Sequence, residues 1–521
     1  MKGVAVGLAS ALLLGGAAGG QQPGPGVVPA STMCARQATA GSAVERTLLM
    51  ASLLSPARLW SSIRPLASAE AEAVAKELRN QLGIDPEHGC RGLWNRVVAH
   101  AWYNTSASRA DRDGAVWQGK GLTMSVTGGL ETRRGPVTVA LAPLAAYSEN
   151  RSFAPSPAPA TPGDYRDPNW GNVIDLPYRF GSRPVARIDP GESFVRVDAR
   201  HGALSITAQS QQWGPAHFYP LLLGTEGPGY PRVLAETRRL PIWIGRISGQ
   251  WHIGLLEAST ETGLPVGQRS RVASAATASF IPRGFPGLEL GGTRLFHVRR
   301  SPGALSWSTA TLPFSGLLKA QSRDATIGGY NQLVSVFFRM APPGRGIEAY
   351  GELLRDDHNA DLRDLAIEPD HASAFTIGAR RVWASNGRMD AVTIEHANAR
   401  FSHLNRVRGQ SPLYTHSSIT EGHTFRGQPL GSSIVFGGQG MGLSWSRVAA
   451  SRAFDAGIEI RSTAQNEEGG NLNGRQSGVY LMQFGEQHAV GAKRCGGRLE
   501  LQLGYGGDGR TNVSLGFSCS N

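Results

Sequence analysis

Apolar and polar residues alternate in short segments over most of the chain, and this pattern limits the possible fold more than any other feature. A clear example is the run LSITAQ at residues 204–209, which leads through the turn Trp213-Gly214-Pro215 into an apolar run at 219–223. Alternation with a period of two is typical of a strand with one apolar and one polar face. From about residue 93 onward the pattern recurs between connections rich in Gly, Pro, Asn and Asp, without helical periodicity.

The length of this region predicts a closed barrel. Residues 93–521 accommodate about 18 strands at about 24 residues each, connections included, which suits tilted strands that cross a membrane. An antiparallel sheet of this size has to close, because open edges promote aggregation. We therefore predict an all-β fold: a large closed antiparallel transmembrane β-barrel of about 18 strands with a small N-terminal helical plug.

The residues before the barrel predict export. Lys2 precedes an apolar stretch at 4–14, and small residues at Ala18 and Gly20 come before Gln21, a pattern typical of a cleaved signal peptide over residues 1–20. After it, no stretch of about 18 apolar residues occurs, so we expect no membrane-spanning helix. Residues 21–92 are predicted to form a linker and a helical periplasmic plug, and residues 93–521 the barrel.

Helix signals lie within 42–82. Ser42 and Glu45 form a capping box at the start of one helix. Ser68 opens a second helix with acidic residues in its first turn, and Gly83 ends it. Between them, Pro56 can begin a short helix that runs to Ile63. Helices this short are not stable alone, so we expect them to dock on the barrel.

Four cysteines fit an oxidising compartment. Two alternating strands, with a turn at 506–509 between them, pair Leu499 with Leu515 and thereby place Cys495 opposite Cys519. This register predicts a Cys495–Cys519 disulfide; the alternative is two free buried thiols. Cys34 and Cys90 are left to pair with each other.

Charge narrows the possible partners. The formal net charge is +12, and it comes almost wholly from arginine, which binds phosphate and carboxylate in bidentate fashion. An exported protein without a basic helix is a poor nucleic-acid binder. We expect an acidic surface polysaccharide, and outer-membrane lipid including lipopolysaccharide, as partners. The alternative is that the arginines pair with Asp and Glu in a polar interior.

Eight blocks of sequence occur in an order that resembles one known family. They are WQGKGLTMSVTGG (117–129), LAPLAAYSEN (141–150), IDLPYRFGS (174–182), ESFVRVD (192–198), QQWGPAHFYPLLL (211–223), IPRGFPGLELGGTR (281–294), EAYGELLRDD (348–357) and YTHSSITEGHTFRGQPLGSS (414–433). The chain resembles the Wzi family of capsule-assembly outer-membrane proteins. The resemblance implies an 18-stranded barrel with periplasmic helices, acting as a surface lectin for capsular polysaccharide. Gln212 departs from the family pattern, which usually has a second Trp there, and the family pattern does not imply the two disulfides.

Twelve residues are candidates for polysaccharide binding. They are Trp213, His217, Arg238, Arg283, Glu289, Arg294, Glu348, Tyr350, Glu352, Tyr414, His416 and Arg426. Trp213 offers a flat face for a sugar ring, or else it fills the barrel. The loop that starts at Tyr414 is dense in polar groups that suit hydroxyl-rich ligands, or else these groups bond within the loop.

Alternation places Glu348 and Glu352 on one side of a strand, toward the lumen. A glycosidase also needs two carboxylates at about 5–10 Å. The alternative is that lumenal carboxylates pair with Arg283, Arg294, Arg380 and Arg381 to fill the barrel. The cluster around Asp356 and Asp361 lacks the spacing of a calcium loop. No motif for a metal, a cofactor or a nucleophile has a supporting context, so we expect no cofactor and no enzyme activity.

Three hypotheses remain at this point. The first is a monomeric Gram-negative outer-membrane barrel that anchors or organises capsular or extracellular polysaccharide. The second is a porin-like diffusion channel for small solutes, and the third is a barrel hydrolase that uses Glu348 and Glu352.

Overall fold

A computed structural model of the chain shows a closed antiparallel β-barrel with two helices at one end. The structure describes residues 39–56, 62–66, 68–84, 94–106, 114–155, 159, 161–167, 173–300, 304–315, 330–356, 371–401, 412–435, 437–463, 477–490, 493–505 and 511–520. The predicted signal peptide, Cys34, Cys90 and the turn at 506–509 lie outside these residues. In the part of the chain that is described, no helix is long and apolar enough to span a membrane.

The described elements are three helices and twenty-four strands. The helices are α1 (Ala43–Leu54), α2 (Ser68–Leu82) and α3 (Trp307–Thr311), with 3-10 turns at Val266–Gln268, Leu312–Phe314 and Ser433–Val435. The first strands are β1 (Ile63–Arg64), β2 (Trp94–Asn104), β3 (Gly121–Arg134), β4 (Val137–Leu141), β5 (Leu144–Ser148), β6 (Val185–Asp189), β7 (Phe194–Asp198), β8 (Ala203–Thr207), β9 (Gln212–Trp213), β10 (Arg232–Ile242), β11 (Gly245–Glu257) and β12 (Ser270–Pro282). The others are β13 (Leu288–Arg299), β14 (Tyr330–Met340), β15 (Ile347–Asp356), β16 (Ser373–Ser385), β17 (Arg388–Asn398), β18 (Thr424–Phe425), β19 (Gln428–Pro429), β20 (Gln439–Ala449), β21 (Arg452–Thr463), β22 (Ser477–Val490), β23 (Lys493–Tyr505) and β24 (Thr511–Ser520).

Twenty of these segments form the barrel, which closes through β2 and β24. The segments β4 and β5 form one interrupted strand, because both pair with β3. The segments β6 and β7 form another, because β6 pairs with β5 and β7 pairs with β4. Pro143 and Pro190 lie at the two breaks, where a residue without a backbone N–H cannot join the ladder. The barrel therefore has eighteen strands, as predicted.

Polar side chains face the lumen and apolar ones face outward. On β8, Leu204 and Ile206 are exposed while Ser205 and Thr207 are buried. Exposed apolar residues continue around the wall at Val195, Val197, Val336, Phe338, Leu353, Phe375, Ile377, Ile394, Met441, Leu443, Ile458, Ile460, Phe484, Leu499, Leu515 and Phe517. A polar lumen with an apolar outer surface is typical of a membrane barrel.

The helices close the end of the barrel that carries the short turns. Apolar residues of α1 and α2 form one core with wall residues, including Leu48, Val74 and Met389. The Ser42 hydroxyl accepts from the Glu45 amide at 3.0 Å, which confirms the predicted cap. Gly83 follows α2 in the left-handed region. The prediction that a short helix runs to Ile63 is wrong at that residue, because Ile63 lies in β1 and pairs with Trp213.

The disulfide register is confirmed. Leu499 pairs with Leu515, Cys495 lies opposite Cys519, and the two cysteines are bonded with their Cα atoms 4.1 Å apart. The bond joins β23 to β24 near the end of the barrel that carries the short turns. Adjacent strands of a hairpin have few alternative registers, so the sequence pattern was sufficient here.

Candidate functional site

The connection between β8 and β10 folds into the lumen. Its Trp213 is fully buried, and the indole Nε1 donates to Gln250 of the wall at 2.7 Å. The backbone of Trp213 pairs with that of Ile63, and the Trp213 amide donates to the Leu223 carbonyl at 3.1 Å. The aromatic turn that stood out in the sequence is thus the centre of a core inside the barrel, with Leu221, Leu222 and Leu223 beside it.

Glutamates of the wall hold this inserted loop through its backbone. Glu395 on β17 accepts from three consecutive amides, those of His217 at 2.7 Å, Phe218 at 3.0 Å and Tyr219 at 2.6 Å. Glu352 on β15 accepts from the Leu221 amide at 3.3 Å. Consecutive amides that point to one side form a concave anion site, and here the anion is a carboxylate of the barrel itself.

A further glutamate of the wall holds the plug segment. Glu289 accepts from the Ser62 amide at 3.0 Å and from its hydroxyl at 2.8 Å. Arg339 lies between Glu289 and Glu348, with nitrogen–oxygen distances of 4.0 and 3.5 Å. Buried carboxylates need such partners, since an unpaired buried charge is strongly destabilising.

His217 contacts the same group of charges. Its Nε2 lies 3.4 Å from Oε1 of Glu348. Burial, reinforced by Arg380, lowers the pKa of His217 to about 4. The ring is therefore neutral at pH 7, and the contact with Glu348 is a hydrogen bond rather than an ion pair.

A second loop, 412–435, packs on the first. The Tyr414 hydroxyl donates to the Leu221 carbonyl, and His423 Nε2 donates to the Leu222 carbonyl at 2.6 Å. Arg271 can only donate, so its 3.4 Å contact makes Nδ1 of His297 an acceptor, and Nε2 of His297 then donates to Nδ1 of His423 at 2.8 Å. The chain of donors assigns one neutral tautomer to each histidine. Burial lowers the pKa of His423 to about 3.

The structure brings together eight of the twelve predicted residues around the inserted loop and the plug. They are Trp213, His217, Arg238, Glu289, Glu348, Tyr350, Glu352 and Tyr414. Arg238 donates to the Ile63 carbonyl at 2.8 Å and to the Pro65 carbonyl at 3.1 Å. These contacts agree with the reading that such residues fill the barrel.

The other four lie elsewhere. Arg283 is exposed in the short turn between β12 and β13. His416 and Arg426 lie in the loop 412–435, and Arg426 bonds to Asp189 at 3.0 Å. Arg294 was expected in the lumen, but it lies on the outer face of β13, because Glu289 and His297 of the opposite parity face inward. Arg381 likewise lies on the outer face, and only Arg380 of that pair is lumenal.

The other side of the lumen contains a cavity of about 590 Å³. It is bounded by β2, β3, β21–β24 and the first turn of α1. The rings of His100 and Trp102 stack on one wall, 5.0 Å apart and 11° from parallel. Trp102 lies over Gly516, where an added Cβ would approach the indole Cδ1 to 2.9 Å. His100 and Trp102 were not among the residues predicted from the sequence, although they lie at alternate positions on one strand.

A polar row lies beside the aromatic pair. Glu500 accepts from Gln483 Nε2 at 3.0 Å and from Gln502 Nε2 at 2.6 Å, and Arg498 donates to Gln483. The Arg498 side chain is half exposed and lines the cavity. Polar residues at alternate positions of β22 and β23 were the available sequence signal for this row. Among the described residues, no group of three His, Cys, Asp or Glu side chains could hold a metal ion.

Comparisons with known proteins agree with the fold. No family model matches the sequence, and no curated protein matches it. Among solved structures, the chain is similar to Wzi of Escherichia coli, an outer-membrane protein described as a carbohydrate-binding β-barrel involved in group 1 capsule assembly. The identity is 14%, the similarity covers 93% of this chain and 97% of that chain, and the TM-score is 0.60. It is less similar to Acinetobacter baumannii OccAB2 (10% identity, 82% and 97% covered, TM-score 0.39) and Pseudomonas aeruginosa OccK2 (9% identity, 83% and 98% covered, TM-score 0.41). The resemblance predicted from the sequence blocks is confirmed at the level of the fold: this chain has the fold of the outer-membrane barrel Wzi.

Proposed function

We propose that the protein is a non-enzymatic outer-membrane barrel that binds a surface polysaccharide through the cavity beside β2 and β22–β24. The observation that carries the proposal is the pairing of a flat aromatic surface, His100 and Trp102, with the polar row Gln483, Arg498 and Glu500 in one cavity. The fold of Wzi, a barrel described as carbohydrate-binding, supports the same function by analogy only.

The chemistry of this cavity suits a sugar. An indole face packs against the apolar C–H side of a pyranose ring, while amide, carboxylate and guanidinium groups exchange hydrogen bonds with its hydroxyls. Arg498 adds a cation that would favour a sugar carboxylate or phosphate, because guanidinium binds such groups in bidentate fashion. An acidic polysaccharide is therefore the preferred ligand class, as the net charge of +12 also suggests.

The residues around the inserted loop have a different role in this proposal. Trp213, Glu289, Glu348, Tyr350 and Glu352 shape and close one side of the lumen. His416 and Arg426, at the end of the barrel that carries the long loops, are the candidates for contact with polysaccharide outside the cavity. We further propose that a cleaved signal peptide exports the chain, that it acts as a monomer in the Gram-negative outer membrane, and that it binds no nucleic acid.

A binding measurement tests the proposal. Purified full-length protein would be assayed against immobilised acidic and neutral polysaccharides, with the variants Trp102→Ala and Arg498→Ala. Trp383→Ala is a matched control, because Trp383 is a strand tryptophan on the outer face. We expect Trp102→Ala to weaken binding of both polysaccharide classes and Arg498→Ala to weaken that of acidic ones. No retention by the wild type, or equal retention by all variants, would refute the proposal.

A diffusion channel is the second candidate, because the lumen contains a cavity of about 590 Å³ that could admit a small solute. The first turn of α1 borders the cavity, so a solute path would have to pass that helix. Ion conductance in planar bilayers distinguishes the two functions. A sealed barrel gives none, whereas steady conductance of the wild type would support the channel.

A further inference from the structure

Part of the connection between β13 and β14 lies on the outer wall of the barrel. We name its described part, residues 304–315, the clasp; it contains α3 and the 3-10 turn Leu312–Phe314. Phe296 and Val298 have the outward parity on β13, yet they are only 1% and 2% exposed. They are buried because Ala304 and Leu312 of the clasp form a core with them and with Val272.

The clasp also satisfies polar groups of the outer wall. Outward-facing Arg294 donates to the carbonyls of Pro313 at 3.1 Å and Ser315 at 2.7 Å. Trp251 Nε1 donates to the Ala310 carbonyl at 2.7 Å. An uncovered arginine on the lipid-facing surface of a barrel is destabilising. The wall donors and the carbonyls at the end of the short helix therefore satisfy each other.

The opposite side of the clasp is apolar and exposed. Trp307 is 77% exposed, Phe314 is 67% exposed and Leu305 is 57% exposed. This surface is continuous with the apolar belt of the wall, since exposed Val336 pairs with Gly292, two residues from Arg294. Large aromatic side chains that remain in water at this position would be costly, so a partner is implied.

We propose that the clasp is a lipid-binding anchor, in which Trp307 and Phe314 insert into the outer leaflet where acyl chains meet headgroups. Tryptophan and other aromatic residues concentrate at this depth in membrane barrels. The occupant is lipid rather than a second copy of the chain, because the exposed surface of the clasp extends the belt that faces acyl chains. This inference rests on the membrane location contained in the proposed function, but not on polysaccharide binding.

Depth-dependent quenching tests the anchor. Full-length protein with Trp307→Cys would be labelled with an environment-sensitive fluorophore and placed in nanodiscs that contain lipids with a nitroxide near the headgroup or deep in the chain. Val336→Cys, in the belt, is the buried-in-lipid control, and Val266→Cys, in the exposed connection between β11 and β12, is the aqueous control. Unsubstituted protein labelled in parallel gives the background.

We expect the label at position 307 to be quenched mainly by the shallow nitroxide, the label at 336 by both, and the label at 266 by neither. If neither nitroxide quenches the label at 307, as expected for position 266, the anchor is overturned, whereas the barrel remains in the membrane. Protection of position 307 from both nitroxides in a dimeric sample would overturn it in favour of a second copy. If the label at 336 also escapes quenching, the membrane location fails together with the anchor, whatever polysaccharide binding shows.

Discussion

Glu395 on the barrel wall accepts a hydrogen bond of 2.6 Å from the backbone amide of Tyr219, although 176 residues separate the two in the chain. The same carboxylate binds the two preceding amides and the Tyr350 hydroxyl. One wall residue thereby holds three consecutive amides of the loop that fills one side of the lumen.

Replacing Glu395 with Gln is expected to destabilise the inserted loop. The substitution removes the charge and turns one acceptor into a donor that faces three amides, and each unsatisfied buried group costs about 1–3 kcal/mol. Denaturant unfolding in detergent should show a loss of about 2–5 kcal/mol. Glu486→Gln is the control, because Glu486 is half exposed and pairs with half-exposed His488 at 3.0 Å. Equal stability of both variants would contradict the role given to Glu395.

Trp213→Ala tests whether this residue is core. Truncation of a fully buried tryptophan should cost about 3–5 kcal/mol of unfolding free energy. Trp243→Ala, at an exposed turn, should change it by less than about 0.5 kcal/mol. If Trp213→Ala instead leaves stability intact and abolishes polysaccharide binding, Trp213 contacts the sugar directly.

Gly516→Ala tests the aromatic surface of the cavity. The added methyl group would lie 2.9 Å from Cδ1 and 3.1 Å from Nε1 of the Trp102 indole, so the ring has to shift. We expect polysaccharide affinity to fall about tenfold, equal to about 1.4 kcal/mol, in an equilibrium binding assay. Gly497→Ala on the adjacent strand is the control, since its methyl group would meet nothing closer than 3.9 Å. Equal affinities of the Gly516→Ala and Gly497→Ala variants would show that polysaccharide binding does not depend on the position of the Trp102 indole.

Acid is expected to weaken the inserted loops through two histidines. Burial lowers the pKa of His423 to about 3 and that of His217 to about 4, whereas both titrate near 6.5 when unfolded. Below pH 6.5 the unfolded state binds more protons, so each histidine reduces stability by up to about 1.4 kcal/mol per pH unit until its folded pKa is reached.

The measurement compares unfolding of wild type and His423→Gln between pH 7 and pH 4. As pH falls, the free energy of unfolding should decrease less for the variant than for wild type, because the variant lacks the titrating ring. Trp243→Ala, at an exposed turn and without a titrating group, should keep a constant difference from wild type. A pH-independent difference for His423→Gln would show that the ring is not held neutral.

Local patterns predicted much of the wall. Alternation over 204–209 predicted the faces of β8, and the hairpin register predicted the Cys495–Cys519 bond. The same parity was readable on β13, where Phe296 and Val298 share a face with Arg294. A charged residue on the apolar face was nevertheless assigned to the lumen, because the sequence contains no sign that the clasp would cover it.

The sequence by itself determined the strands, their two faces, the helix caps and one disulfide, because each depends on residues close together in the chain. Only the tertiary structure decided which side of the lumen the inserted loops fill and which side contains the cavity. Glu395 accepts hydrogen bonds from amides that are 176 to 178 residues away in the chain. Trp102 meets Gly516 only because the first and last strands join when the barrel closes. Contacts at such separations depend on the path of the whole chain, which no local periodicity encodes.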